Sequence, residues 1–314
     1  MSSQKIGIVG SGLIGRAWAM LFAAAGYRVC LYDILESQIV TALAELGQEL
    51  RNLENKGTLR GELKAAEQLA LISTTTELEQ LVVDAAYIQE CIPERVELKV
   101  NLYAQLDKVL QPQTIVGSST STFLPSRFTA GLKQKAQMLV AHPLNPPYFI
   151  PLVEIVPAPW TSDQAVQQTY DLMVSLGQRP VKLNREIEGF ATNRIQYAIL
   201  NEVWRLVAAG ILNVLDVDRV LSQGLGLRYA LLGALETAHL NAPGGVADYF
   251  QRFGGEMAKV SATYGPTPDV RDSEMLAKIA QQCEEIVPLQ GLPQRRATRD
   301  AFLTKLAALK RQFE

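Results

Sequence analysis

The chain has 314 residues, 48% hydrophobic and 20% charged, with 30 basic against 32 acidic side chains. That length suffices for about two domains with a sizeable core. The near-neutral balance, with no Lys/Arg-rich stripe, excludes the electrostatic footprint of a nucleic-acid or anionic-membrane binder, and no apolar run approaches the ~20 residues that span a bilayer.

Lys5–Val9 reads as a short buried strand, and Gly10-Ser-Gly12-Leu-Ile-Gly15 follows at once. Arg16 to Ala25, rich in Ala, Leu and Met, predicts a helix ending at Gly26. Tyr27–Tyr32 is a second strand, closed by Asp33. Strand, Gly-rich turn, helix, strand and acid in this order form a dinucleotide-binding fingerprint. Gly10 makes the tight turn, Gly12 lets the backbone approach a pyrophosphate, and Gly15 lets helix and strand pack closely. The free N–H groups around Leu13 and Ile14, at the positive helix end, face the phosphates. Asp33 accepts hydrogen bonds from ribose hydroxyls and repels a 2′-phosphate, so NAD is expected over NADP. The bland alternative is a plain glycine turn. Arg28, inside the strand run, reads as a solvated residue rather than a phosphate ligand.

Glu36 to about Glu67 is polar, Leu-periodic and free of proline, which predicts a long helix, a break near Gly57 to Gly61 and a second helix. The pair is either a cover over a ligand or a solvated extension. Leu69–Ser73, Ala85–Gln89 and Gln113–Gly117 are further strands alternating with helices, so a parallel sheet is expected. Ligands bind beyond the carboxyl ends of such strands. The residues there are Glu90-Cys-Ile-Pro-Glu94 and Ser118-Ser-Thr-Ser-Thr122. Taken singly, Glu94 would pass for a helix first-turn acid and the hydroxyls for an N-cap.

His142, one of only two histidines, ends an apolar run just before Pro-Leu-Asn145-Pro-Pro. Glu154 interrupts the strand-like Leu152-Val-Glu-Ile-Val156. A lone buried carboxylate costs several kcal/mol unless paired, and His142 is the candidate partner. A carboxylate behind an imidazole fixes its tautomer and stabilises its protonated form, making it a general base. The alternative is a satisfied core histidine.

Thr161–Leu176 reads as a helix, Pro180–Leu183 as a last strand, and Asn184–Gly189 as a linker, giving domains 1–186 and 187–314. Phe190–Ala209 is expected to be the buried central helix of an all-helical second domain, with Asn193 in its first turn facing the cleft. Asp216–Leu221, Glu256–Tyr264 and Met275–Ile286 are further helices, and Arg295–Phe313 reads as a packed amphipathic terminal helix. A helical domain of this kind completes its core with a second copy, so a homodimer is expected. His239, with no carboxylate close by in sequence, reads as structural. Cys30, Cys91 and Cys283 fit no metal or disulfide framework. With no signal-peptide pattern at Met1 to Lys5, a reducing cytoplasmic setting is expected.

These motifs resemble the 3-hydroxyacyl-CoA dehydrogenase family over nearly the whole chain. They are the Gly10, Gly12, Gly15 and Asp33 fingerprint, Glu90 to Glu94, Ser118 to Ser121, His142 to Pro147, Glu154, and Gly189-Phe-Ala-Thr-Asn193-Arg-Ile-Gln196. Gly224-Leu-Gly-Leu-Arg228-Tyr through His239-Leu-Asn241 resembles the branch that oxidises L-gulonate. The resemblance implies a Rossmann-type domain followed by a helical one, a dimer, and hydride transfer between NAD and a carbon bearing a 3-hydroxyl. It implies His142 as base, Glu154 as its partner, Ser121 and Asn193 as ligands of the substrate oxygen, and Glu94 and Lys99 near the cofactor. The acyl-CoA enzymes carry Asn where Ser119 stands, which points away from a CoA ester. A free acid needs a fixed cation, and Arg suits a carboxylate best. Arg228, among glycines, is the candidate; its alternative is a surface arginine paired with Asp218 or Glu236. L-Gulonate oxidation leads, with a 3-hydroxyacyl-CoA ester as runner-up substrate and a structural role without turnover as the non-enzymatic alternative.

Overall fold

The computed structural model describes residues 4–310 and 312–313. They fall into two compact units that divide between Arg194 and Ile195. That division lies inside the first turn of a helix, a little beyond the linker expected from sequence.

In the first unit, short runs of branched apolar residues alternate with helices. In chain order they are β1 (Lys5–Val9), α1 (Leu13–Ala24), β2 (Arg28–Tyr32), α2 (Glu36–Asn55), α3 (Ala65–Ala70), β3 (Ile72–Thr75), α4 (Leu78–Val82) and β4 (Ala85–Glu90). Then follow α5 (Val96–Val109), β5 (Ile115–Ser118), α6 (Ser126–Thr129), β6 (Met138–Pro143), β7 (Leu152–Pro157), α7 (Asp163–Ser175) and β8 (Arg179–Lys182). The strands make one eight-stranded sheet in the order β3-β2-β1-β4-β5-β6-β7-β8. All neighbours are parallel except β6 and β7. Both faces of the sheet are buried, as a parallel sheet requires. Ile6, Ile8, Tyr87, Leu139, Ala141, Val153 and Ile155 join one core with Trp18 and Phe22 of α1. Val9, Ile88, Val116, Val140 and Val156 join the other, with Tyr103 and Phe190.

The strand expected from Leu69 begins three residues later. Leu69 and Ala70 instead end α3, whose start is capped by Glu67, its carboxylate accepting the Lys64 N–H at 2.8 Å. The helical pair α2–α3 is not a solvated extension. Ile39, Ala42, Leu46, Leu50 and Leu53 of α2 are buried. The Arg60 guanidinium beyond it donates to the Tyr148 and Leu176 carbonyls and to Gln178 Oε1, at 3.3, 2.8 and 3.0 Å.

From α8 (Thr192–Ala208) onward the chain is helical: α9 (Val214–Arg219), α10 (Gly226–Tyr229), α11 (Ala234–Leu240), α12 (Gly245–Ser261), α13 (Ser273–Ile286) and α14 (Leu292–Lys310). A π-turn, Val220–Leu225, joins α9 to α10. The second unit's own core is small: Val207, Val214 and Val217, with Met275 and Ile279 against them. This corrects the expectation that Phe190–Ala209 is a buried central helix. The helix starts at Thr192, and Ile195, Tyr197 and Leu200 are 65, 48 and 48% exposed. Its apolar face is real, but little of this single chain covers it. The terminal helix is likewise only partly packed: Leu303 and Leu306 are half-buried while Phe302 and Leu309 are exposed. No described helix is long and apolar enough to cross a membrane.

Candidate active site

The Gly-rich turn between β1 and α1 is held by its own backbone and by Asp33. Gly10 N–H donates to the Tyr32 carbonyl at 2.8 Å, and Gly10 sits at φ +97°. A Cβ there would stand 2.8 Å from the Cys91 carbonyl oxygen, and one at Gly15 would overlap the Gly10 carbonyl oxygen. These two glycines are demanded by the fold. Gly12 is not: its φ is −66°, and a Cβ would meet nothing within 4 Å. The open space above Gly12 is the cradle a phosphate group would fill. The N-terminus of α1 has no side-chain cap and no acid in its first turn, so the N–H groups at Leu13 and Ile14 remain for an anion. Asp33 Oδ2 accepts from Ser11 N–H at 2.9 Å and Ser11 Oγ at 2.7 Å, fixing the loop from behind. These residues fit a dinucleotide, with Asp33 at the end of β2 where a ribose is read.

His142 and Glu154 are directly opposed in the antiparallel β6–β7 pair. Cross-strand partners put their side chains on the same face, which here carries Val140, Val156 and Phe190. His142 Nδ1 lies 2.8 Å from Glu154 Oε2, and both side chains are buried. Glu154 Oε1 accepts the N–H groups of Ala191 and Thr192 at 2.8 and 2.9 Å, where α8 begins. Burial pushes the Glu154 carboxyl up, but hydrogen bonds from His142, Thr192 and Ala191 outweigh it and hold it below the usual range. An ionised Glu154 only accepts, so Nδ1 of His142 carries the proton and Nε2 is the free acceptor. Nε2 has no hydrogen-bond partner among the described residues.

Beyond β4 and β5, Glu94 gathers the hydroxyl loop. Its Oε1 accepts from Thr120 Oγ1, from Ser121 N–H at 3.0 Å and from Thr122 N–H at 3.3 Å. Asn193 Nδ2 donates to the Ser121 carbonyl at 2.6 Å, so the structure brings Ser121 and Asn193 together. Ser121 itself is exposed, and its Oγ has no partner among the described residues. Lys99 is only 1% exposed. Its Nζ is held by Glu90 at 2.8 and 3.0 Å and lies 3.6 Å from Glu94 Oε2. Ser118 Oγ donates to the same Glu90 carboxylate. Glu90 is a further residue of the site, beyond those expected from the sequence. The signal for its burial was there: Lys99, Leu102, Tyr103 and Leu106 share one helical face, so Lys99 needs an interior partner.

Ser119 turns inward. Its Oγ accepts from Trp18 Nε1 at 3.2 Å and Gln89 Nε2 at 2.7 Å, and lies 3.2 Å from Cys91 Sγ. Burial pushes the Cys91 thiol well up, so it is inert. The serine at this position is accounted for by that network and by itself carries no argument about the substrate.

Residues 5–187 match the family described as 3-hydroxyacyl-CoA dehydrogenase, NAD binding domain, and residues 189–275 match its C-terminal domain. The chain belongs to the 3-hydroxyacyl-CoA dehydrogenase family. Within this family it is 50% identical to a lambda-crystallin homolog of Bos taurus, over 98% of this chain and 96% of that one. It is 31% identical to L-carnitine dehydrogenase of Oceanobacillus iheyensis over 98% of both. Among solved structures it is similar to 5-formyl-3-hydroxy-2-methylpyridine 4-carboxylic acid 5-dehydrogenase, an NAD+-dependent dismutase. That match has a TM-score of 0.81 at 25% identity and covers 99% of this chain and 98% of that one. The dehydrogenase family accounts for the parallel sheet, the helical second unit and the NAD-binding fingerprint together.

The second unit holds the remaining expected residues. Arg228 lies on α10, exposed, and makes no ion pair among the described residues. The alternative pairing with Asp218 or Glu236 is therefore not formed. His239 Nδ1 accepts the Val246 N–H at 3.0 Å, and a Cβ on Gly245 would stand 2.6 Å from its ring. The exposed ring thus lies against the start of α12. No cluster of His, Cys, Asp and Glu placed to hold a metal occurs among the described residues.

Proposed function

We propose that the chain oxidises the 3-hydroxyl of a free hydroxy acid, L-gulonate, to the 3-keto acid with NAD as the hydride acceptor. The observation that carries this is the Glu154 carboxylate. It is saturated by two N–H groups on one oxygen and His142 on the other, which leaves His142 Nε2 as a base with a fixed tautomer. His142 Nε2 takes the hydroxyl proton, and Glu154 stabilises the resulting imidazolium. NAD, when bound, accepts the hydride from C3. The Ser121 hydroxyl and the uncommitted Asn193 amide hydrogen hold the substrate oxygen as it becomes a carbonyl. Asp33 selects NAD over NADP. Glu94, with Lys99 behind it, borders the cofactor side and sets the Ser121 loop.

Two similarities support the free-acid reading: one relative is named for carnitine, itself a 3-hydroxy acid, and a similar solved structure for a carboxylic acid. Arg228 is the proposed carboxylate ligand. We further infer a homodimer that covers the apolar face of α8, and a reducing cytoplasmic setting in keeping with free Cys30, Cys91 and Cys283.

The test is a substrate panel of L-gulonate, short 3-hydroxy acids and 3-hydroxybutyryl-CoA, each with NAD and with NADP. L-Gulonate with NAD should give the highest kcat/KM, and His142→Ala should lose most turnover while still binding NAD. Preference for the CoA ester would move the substrate to the runner-up. No turnover of any of them would leave a structural protein that keeps the fold.

A further inference from the structure

The turn just before α8 adopts a backbone that its sequence resists. Gly189 at φ +74° and Phe190 at φ +50° are both left-handed. Glycine takes this region freely, whereas a residue with a bulky side chain is disfavoured there. An Asn at position 190 would suit the backbone better. The aromatic side chain is therefore retained for something other than the turn. A residue held in such a region is a pointer to function when its surroundings over-determine it.

Those surroundings are specific. The Phe190 ring is fully buried, in the core that holds Val140 and Val156. Its centroid lies 5.6 Å from that of His142, with the rings tilted by 57°. The next two residues donate their N–H groups to Glu154, and Asn193 reaches the Ser121 carbonyl. One left-handed step thus sends four consecutive residues onto the proposed catalytic groups.

Glu154 holds the imidazole at one atom, Nδ1. That hydrogen bond sets the Nδ1···O distance, but coupled rotations about Cα–Cβ and Cβ–Cγ can still swing the ring while keeping it. Such a swing would re-aim Nε2 without breaking the bond. The contact that opposes it comes from the side, and Phe190 supplies it. Resting on the assignment of His142 as base, we propose that Phe190 is a positioning residue that fixes the direction of His142 Nε2, and that its strained backbone is kept for this purpose. Leu or Met would fill much of the volume but present no flat ring to the imidazole.

The experiment compares wild type, Phe190→Leu, Phe190→Met and His142→Ala, with L-gulonate and with 3-hydroxybutyryl-CoA, both with NAD. Phe190→Leu should lower kcat about 10- to 100-fold, the loss expected when a reacting group is misaimed by about 1 Å. KM and the Kd for NADH should stay within roughly threefold, since neither substrate nor cofactor binding depends on that aim. The isotope effect from deuterium at C3 should rise as chemistry becomes slower than product release. If Phe190→Leu does not fold, Phe190→Met is judged by the same criteria. A kcat within roughly threefold of wild type, or a loss of kcat matched by an equal loss of NADH binding, overturns the proposal. A fully active His142→Ala would instead overturn the assignment of the base, and the two failures are thereby told apart.

Discussion

Replacing Glu154 with Gln keeps the shape of a buried side chain and removes its charge. In the native pair three N–H donors converge on it: Ala191 and Thr192 on one oxygen, His142 on the other. A glutamine offers only one oxygen. If that oxygen stays on the two backbone donors, the amide nitrogen faces His142 Nδ1 and must donate to it. The imidazole proton then moves to Nε2, and the base has no lone pair for the substrate. If the amide flips, two backbone donors face an NH₂ group in the interior. The first arrangement loses less. Its two surviving bonds fall from charge-assisted strength, ~1.5–3 kcal/mol, to ~0.5–1.5 kcal/mol. Relief from burying a carboxylate offsets part of this, so a net destabilisation of about 1–3 kcal/mol is expected. Turnover should fall about 10²- to 10⁴-fold. Initial rates of NADH formation report the rate, and thermal melts report the stability. The melts also carry a pH signature. Glu154 has its folded value held below the ordinary one near 4.3, so its contribution is present above that value and is lost as pH falls through the lower folded value. The melting difference between wild type and Glu154→Gln should shrink as pH falls below ~pH 4. A variant with kcat within roughly fivefold of wild type would refute the tautomer argument.

Gly12→Ala should fold with an unchanged melting temperature, because its φ and its surroundings accept a methyl group, yet NADH binding followed by fluorescence should weaken about tenfold or more. A variant that binds normally would show that nothing approaches that backbone. Asp33→Ala should weaken NAD and narrow the preference over NADP, with part of the loss coming from the freed Ser11. Kd values for both cofactors decide it, and undiminished discrimination would mean that another group selects. Arg228→Met should raise the KM for L-gulonate by about one to two powers of ten, the value of a charge-assisted contact, and leave NAD affinity unchanged. An unchanged KM would detach Arg228 from the substrate.

Much of the site was legible because its chemistry is carried by side-chain identity. Gly10, Gly12, Gly15 and Asp33 stand in a fixed order, and Glu154 in an apolar strand called for a partner, for which His142 was the candidate. What the sequence concealed is carried by backbone or by direction. Ala191 and Thr192 serve Glu154 through N–H groups that any residue possesses. Lys99 turns inward to Glu90, and Ser119 inward to Trp18 and Gln89, and no spacing along the chain states which way a side chain faces. The start of β3 was misplaced because Leu69 and Ala70 suit a strand or a helix equally, and the Glu67 carboxylate that accepts the Lys64 N–H favours the helix. The apolar residues of α8 were visible in the sequence, but not that this chain leaves Ile195, Tyr197 and Leu200 largely exposed.

The interior pairing of Glu90 with Lys99 has a consequence for how this sequence can change over generations. Losing either partner alone strands a buried charge, at a cost of ~3–5 kcal/mol, whereas exchanging both for well-packed apolar residues is often neutral. A natural domain has only ~5–15 kcal/mol in hand, so each one-step route away from this pair gives up a large share of that margin. Ser118, which bonds to the same carboxylate, is drawn into the same restriction. Drift at positions 90, 99 and 118 should therefore be correlated rather than independent. Lineages that leave the ionic arrangement should do so by paired replacement, or after a stabilising change elsewhere has made the intermediate viable.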